Sequence, residues 1–304
     1  MIDDSPYGPP AAADVCSWNG YLYFVWEREA IRLLHDDPVA RGLRPYTQDP
    51  VLQRYRFCNI RRADDRVSRW MIEHLIEPRS ENPDLWFQQL IARLINWPPT
   101  LTLLMGSDAL PYCAEDFDAG AFEHRVELVR RARGKAYGGA YMIYPTRLES
   151  GRSKAYLLAQ HILLPAARAA ERLQRTVALG YVQPVVEELA GLFGVSTFMA
   201  GQVAADLTYC PQLGAAPDLY TYAPLGPGSQ VGLNYLHGRP LGHTWRQADF
   251  NAVLGEARER IVSELEIDDL TLHDVQNTFC EYGKYCRAVL GGRLKTRYTP
   301  EKEF

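Results

Sequence analysis

"LAGLFGVSTFMAGQVAADLTY", residues 189–209, reads as a helix, a tight Gly194-Val195-Ser196-Thr197 turn, and a second helix flanked by the small residues Ala200, Gly201, Ala204 and Ala205. So short a turn lets two helices pack closely. It also points backbone N–H groups outward at a helix N-terminus, where a phosphate can bind. Outward from this hairpin the same helical periodicity recurs, over approximately 20–36, 50–77, 82–95, 121–134, 152–179, 183–193, 248–265 and 271–289. Strand signals are few and short, such as "AYMIYPT" at 140–146. The pattern predicts an all-α chain with long loops at 97–119 and 210–245. It divides into a lead-in over 1–19, an N-terminal helical region over 20–150, and a hairpin-bearing region with a C-terminal helix and basic tail over 151–304.

At 304 residues the chain has ample material for a core. No stretch approaches the roughly 20 apolar residues of a membrane helix. The N-terminus "MIDDSPYGPPAAADVCSWNG" is acidic and Pro-rich where a signal peptide is basic and then apolar. These features predict a soluble, cytoplasmic protein. Cys16, Cys58, Cys113, Cys210, Cys280 and Cys286 show no metal-ligand spacing, which favours reduced, mostly buried thiols. A net charge of −4 argues against indiscriminate polyanion binding. Local recognition of phosphate by a few arginines is compatible with it.

Arg54–Trp70, "RYRFCNIRRADDRVSRW", gathers six arginines and two adjacent aspartates in seventeen residues. Ahead of it, Asp49 can cap a helix that Pro50 opens, which places Phe57 and Asn59 at a break between two helices. The second helix carries an apolar stripe of Val67, Met71 and Leu75. Asp64 and Asp65 then fall in a first turn, where negative charge suits the helix dipole. Arg61 with Asp65, and Asp65 with Arg69, have the i, i+4 spacing of exposed ion pairs. A solvated helix face accounts for part of this charge. It leaves Asn59 and the density of guanidiniums unexplained.

Two further stretches carry candidate chemistry. "DLYTYAPLGPGSQVGLNYLHGRP", 218–240, contains Gly226-Pro227-Gly228-Ser229, which predicts a loop with exposed amides; it lacks the order of a P-loop, and no P-loop occurs elsewhere. "DVQNTFCEYGKYCRAVLGGRLKTRY", 274–298, places Asn277, Glu281 and Lys284 on one helix face, followed by Lys295 and Arg297. A Glu with a Lys three residues on is normally a surface pair; with the basic tail it can instead be a second anion contact.

"DPVLQRYRFCNIRRADDRVSRW", "LFGVSTFMAGQVAADL", "LGPGSQVGLNYL" and "VQNTFCEYGKYCRAVLG", in that order, resemble the alpha-glutamyl/putrescinyl thymine pyrophosphorylase family over roughly residues 20–298. These are phage and bacterial DNA-hypermodification enzymes similar in fold to helix-hairpin-helix DNA glycosylases. The first motif also resembles the helical domain attached to 5-hydroxymethyluracil DNA kinases. The resemblance implies a transferase that replaces pyrophosphate on 5-(pyrophosphooxymethyl)uracil in DNA with an amine, an amino acid such as glycine or a polyamine. A hydroxymethyluracil DNA kinase would act upstream, inside the bacterial host if the chain is phage-encoded. No cofactor is implied beyond Mg2+ accompanying the pyrophosphate.

On that reading Arg56, Arg61, Arg62 and Arg66 hold the pyrophosphate or DNA, since guanidinium forks match phosphate oxygens. Gly228, Ser229, Lys284, Lys295 and Arg297 join them. A carboxylate must take the amine's proton, with Asp206, Asp218 and Asp65 as candidates. Asn59, Asn234 and Glu281 are candidates for the base or the amine, and Trp97, Tyr220 and Tyr222 for stacking on an extruded base. Two rival functions use the same residues: a glycosylase acting on a modified base, and a non-enzymatic helical DNA-binding module that assists the kinase.

Overall fold

The computed structural model describes residues 9–105, 113–139, 151–295 and 297–298. The chain is all-α, as its periodicity predicts: the described residues contain no β-sheet, only an isolated antiparallel bridge between Tyr55 and Arg297. The strand signal at 140–146 lies outside the described residues. The helices are α1 (Trp18–Asp36), α2 (Pro50–Arg54), α3 (Arg66–Met71), α4 (Leu85–Ile95), α5 (Pro98–Met105), α6 (Ala119–Arg133) and α7 (Lys154–Leu158). They continue as α8 (Leu164–Arg168), α9 (Ala170–Val177), α10 (Val182–Ala190), α11 (Thr197–Leu207), α12 (Pro227–Leu236), α13 (Gln247–Leu265) and α14 (Leu272–Val289).

Two compact units interleave along the sequence: residues up to Asp65 together with those from Tyr220 onward, and Arg66–Leu219. A single cut near residue 150 falls inside the second unit. The reason is packing: the late helix α14 shares a core with the early helix α1, so helices far apart in sequence build the first unit.

In the first unit, Tyr21 of α1 stacks on Phe279 of α14 with ring centroids 4.2 Å apart, and its hydroxyl meets the Thr278 hydroxyl at 2.6 Å. Asp49 caps α2 through the amides of Val51 and Leu52, and its other oxygen accepts the Tyr285 hydroxyl at 2.7 Å. One side chain thereby starts a helix and ties it to the aromatic core.

The expected loop over 226–229 is instead the start of α12. Two glycines and a Gly-Pro-Gly entry argue against helix by propensity, but they are required by how closely α12 lies on α14. A Cβ on Gly232 would stand 2.0 Å from the Phe279 carbonyl oxygen, and one on Gly228 would stand 2.4 Å from the Cys280 sulfur. Gly283 of α14 meets the Gly232 backbone from the other side. Similarly, the expected loop over 97–119 contains α5, which Pro98 and Pro99 open.

In the second unit α4 is buried on every face, and α10 and α11 form the hairpin expected over 189–209. Gly194 takes φ +77 at the turn, and the Ser196 hydroxyl caps α11 by accepting the Met199 amide at 3.2 Å. No described helix is long and apolar enough to cross a membrane.

Candidate acid–base site

The decisive local event in the first unit is the end of α2. Tyr55 leaves the helix with extended dihedrals, and helical structure resumes only at the 3-10 turn Arg62–Asp64. The intervening peptide groups therefore have no ladder or helix to pair them, and buried polar side chains do so instead. Arg28 of α1 donates from Nε to the Cys58 carbonyl at 3.1 Å and from Nη2 to the Phe57 carbonyl at 3.4 Å and Asn59 Oδ1 at 3.1 Å. Glu281 of α14 accepts the Cys58 amide at 3.1 Å on Oε2 and the Lys284 ammonium at 2.5 Å on Oε1. Asp65 accepts the Asn59 amide at 2.9 Å, and the Asn59 side chain donates to the Asp64 carbonyl. Asn277, one turn before Glu281, reaches the Asn59 carbonyl at 3.4 Å.

The result is a polar cluster in which charges sit close together and partly out of water. Burial pushes the Asp65 carboxyl up to about 6; the Asn59 amide opposes that, Glu281 reinforces it, and Arg62 and Arg28 oppose it. Desolvation outweighs the cationic neighbours. Lys284 moves the other way: burial disfavours its charge, but the Glu281 carboxylate more than offsets this and the ammonium is held above its usual range. Its side chain remains 44 % exposed, whereas that of Glu281 is 4 % exposed. Burial raises the thiols of Cys58 and Cys280, the latter to about 11, so neither is a thiolate nucleophile at neutral pH. Chemically, the cluster offers one carboxyl poised near neutrality, coupled to Glu281, which in turn holds a solvent-reaching cation. Such a group can take or give a proton at working pH.

The structure brings Asn59, Asp65, Glu281 and Lys284 together here. Arg62 lies beside them, buried, with its amide donating to Asp274 at 2.9 Å and its charge, after burial, helping to hold the His273 imidazole down at about 3. Arg56, Lys295 and Arg297 are exposed in the same unit, with Arg297 pairing across Tyr55.

Other expected roles change. Arg61 is engaged within the protein: it forks onto Asp269 at 2.6 and 2.8 Å and meets Glu29 at 2.8 Å, holding the Asp269 carboxyl below its usual range. The i, i+4 pairing of Arg61 with Asp65 does not form, because the 3-10 turn breaks the helical register; Asp65 itself is extended, one residue ahead of α3. Gly228 is pressed onto Cys280 and the Ser229 hydroxyl donates to the Gly226 carbonyl, so both serve α12 packing. Asn234 spends its amide on the carbonyls of Leu241 and His243 and accepts the Trp245 indole N–H, which fixes the turn after α12. Tyr222 is buried, and Tyr220 lies under the Arg258 guanidinium at 4.4 Å.

In the second unit, Asp206 is fully buried and accepts a two-pronged bond from Arg93, whose Nη2 also donates to Ser68. Both carboxylate oxygens are thereby committed to the interior. Asp218 accepts the amides of Val182 and Gln183 at 2.8 Å each, capping α10 where Tyr181 offers no side-chain cap. Arg66, the first residue of α3, also belongs to this unit.

Arg28 is the member of the cluster that sequence reasoning missed. Its signal is spacing: with Tyr21 and Phe24 it falls at i, i+3 and i+7 on the buried stripe of α1, where a charge must find partners. A cleft of about 460 Å³ elsewhere in this unit is lined by Trp26, Glu29, Leu33, Arg61, Glu266 and Asp268 among others. Among the described residues, no group of three or more His, Cys, Asp or Glu side chains gathers to hold a metal ion.

An all-helical protein whose polar cluster sets a carboxyl raised toward neutrality among buried arginines, with a half-exposed lysine paired to the neighbouring Glu281, is the class that fold and cluster define. The protein-family model described as "5-hmdU DNA kinase, helical domain" matches residues 16–292, and the chain belongs to that family, which is linked to hydroxymethyluracil modification of DNA. No curated protein and no solved structure matches the chain.

Proposed function

We propose that the chain is a DNA-hypermodification transferase that works on 5-(pyrophosphooxymethyl)uracil in DNA, with Asp65 as its general base. The observation that carries this reading is the Asp65 carboxyl, raised to about 6 beside Glu281, Lys284 and Asn59 in a member of a hydroxymethyluracil-linked family. The amine nitrogen attacks the exocyclic methylene carbon, forming the C–N bond. The C–O bond to pyrophosphate breaks, and pyrophosphate leaves with the electron pair. Asp65, ionised above about pH 6, takes the proton that the attacking nitrogen sheds. Lys284 and the exposed Arg56, Lys295 and Arg297 supply positive charge for the leaving group and the DNA backbone, and Arg62 supports the field from within. Asn59 orients Asp65 through its amide.

A second reading has its own support: a helical module that presents hydroxymethyluracil DNA to a separate kinase. The family description favours it, and so does the engagement of Arg61 by Asp269 and Glu29. Pyrophosphate release from pyrophosphorylated hydroxymethyluracil DNA, measured with and without an amino acid or polyamine, separates the two. Amine-dependent release that falls by about 10²–10⁴ in Asp65→Asn supports the transferase. DNA binding without release supports the module.

A further inference from the structure

The second unit carries a concentration of positive charge that the acid–base cluster does not use. Residues 125–154 hold eight Lys and Arg against two Glu, a local excess of six positive charges in a chain whose net charge is −4. Arg130, Arg131 and Arg133 occupy the last turn of α6 and, with Lys135 just beyond, are exposed. Cations near a helix C-terminus offset the dipole, and Arg130 is also paired with Glu127 at 2.6 Å. That bland account covers one or two of them. It does not cover Arg131 and Arg133, which meet no carboxylate among the described residues.

Nor does it cover the interleaved aromatics. The Lys135 ammonium lies 5.2 Å from the Trp97 ring, Lys154 lies 4.1 Å from the Tyr137 ring, and Arg152 lies 4.7 Å from the Tyr156 ring. The patch is continuous: Thr100 donates to the Ala136 carbonyl at 2.8 Å, Gly138 donates to the Ile95 carbonyl at 2.8 Å, and Ser153 at the start of α7 bonds Glu123 of α6 at 2.7 Å. Lys154 is partly desolvated, which lowers its pKa, and no described carboxylate compensates. Glu123 and Glu127 are the carboxylates within this stretch of α6, and Glu127 is engaged by Arg130, so cations outnumber anions over the patch.

We infer that the C-terminal turn of α6, residues 134–139 and the start of α7 form a DNA-backbone contact surface, in which Arg131, Arg133 and Lys135 meet phosphates and the half-buried rings of Trp97, Tyr137 and Tyr156 hold the cations in place. Charge complementarity selects the partner. Several cations carried on one stable helix end suit a regularly spaced polyanion, and aromatic faces beneath the cations fix their positions without neutralising them. The inference rests on the reading above only in taking DNA as the substrate polymer.

The test is fluorescence anisotropy of the full chain with an unmodified DNA duplex between about 50 and 200 mM salt, a range over which phosphate contacts are resolved by their salt dependence. Each lost phosphate contact lowers the log–log salt slope by about 0.9, so R131S/R133S/K135S reduces it by up to about 2.7. At about 100 mM salt the same arithmetic weakens binding by roughly tenfold per contact, several hundredfold at most. R131K/R133K keeps the charges and binds within a few-fold of the parent, while R172S, which removes an exposed arginine paired with Glu188, leaves the slope unchanged. Matched circular dichroism and thermal midpoints establish that all variants are folded.

Parental affinity and slope in the triple variant overturn the inference, as does failure of the parent to bind duplex. Equal binding of poly-glutamate by the parent, lost equally in the triple variant, also overturns it, because the surface would then be a general site for acidic partners. Since the assay never reads turnover, a parent that binds duplex but releases no pyrophosphate defeats the transferase reading and leaves this surface standing.

Discussion

Asp65→Asn separates a functional carboxylate from a structural one, because a group kept ionised against its environment destabilises the fold it sits in. The folded carboxyl titrates at about 6 against an ordinary value of 3.8. In the folded state it therefore holds its proton more tightly than in the unfolded chain. Below about pH 4 both states are protonated and the group is neutral to stability; as pH rises from about 4 to 6 the folded protein loses stability, and above that range the loss is complete. At about 1.4 kcal/mol per pH unit the separation is worth about 3 kcal/mol, a ceiling because Asp65 retains some solvent contact. The asparagine amide oxygen can still accept the Asn59 N–H, so the variant keeps the bond and sheds the buried charge. Urea denaturation of parent and variant from pH 4 to 8 is the assay. The variant should match the parent near pH 4 and exceed it by up to about 3 kcal/mol at pH 7.5. A variant less stable than the parent throughout would make Asp65 a structural acceptor and remove the reason for naming it as the base.

Three other outcomes follow from the packing. Asp206→Asn leaves Arg93 buried beside a neutral partner and should cost about 3–5 kcal/mol in denaturant unfolding, with activity falling only as the folded fraction does. Gly232→Ala forces α12 away from α14, since its Cβ would stand 2.0 Å from a backbone oxygen; a loss of about 1–3 kcal/mol or more is expected, while Gly255→Ala in α13, with no atom within 4 Å of its Cβ, is neutral or stabilising by up to about 1 kcal/mol. Arg28→Met removes the donors that hold the Phe57 and Cys58 carbonyls and should raise hydrogen exchange at residues 56–61 before it changes global stability.

What the sequence revealed and what it hid divide along one physical line. Local features were legible. The Asp49-Pro50 helix start, the break near Phe57–Asn59 and the Gly194 turn follow from capping and periodicity, and so does the shared face of Asn277, Glu281 and Lys284. Each depends on neighbours within a few residues. Partner choice across the chain was not legible. Arg93 is 113 residues from Asp206, and Arg61 is 208 from Asp269, so nothing in local pattern shows that these charges are already engaged. The glycines of α12 mislead for the same reason: their purpose is the backbone of α14, which lies far along the chain. Arg28 is the intermediate case, visible as a charge on an apolar stripe but interpretable only once the extended segment it serves is known.

The most direct test of the account is the mass of the product nucleoside. Duplex carrying 5-(pyrophosphooxymethyl)uracil is incubated with the full chain and an amino acid or polyamine, digested, and analysed by mass spectrometry. The account predicts a thymidine derivative heavier by the amine in place of the pyrophosphate, formed by the parent and strongly reduced with Asp65→Asn. An unaltered modified nucleoside with every amine, or release of the free base from the sugar, would contradict it.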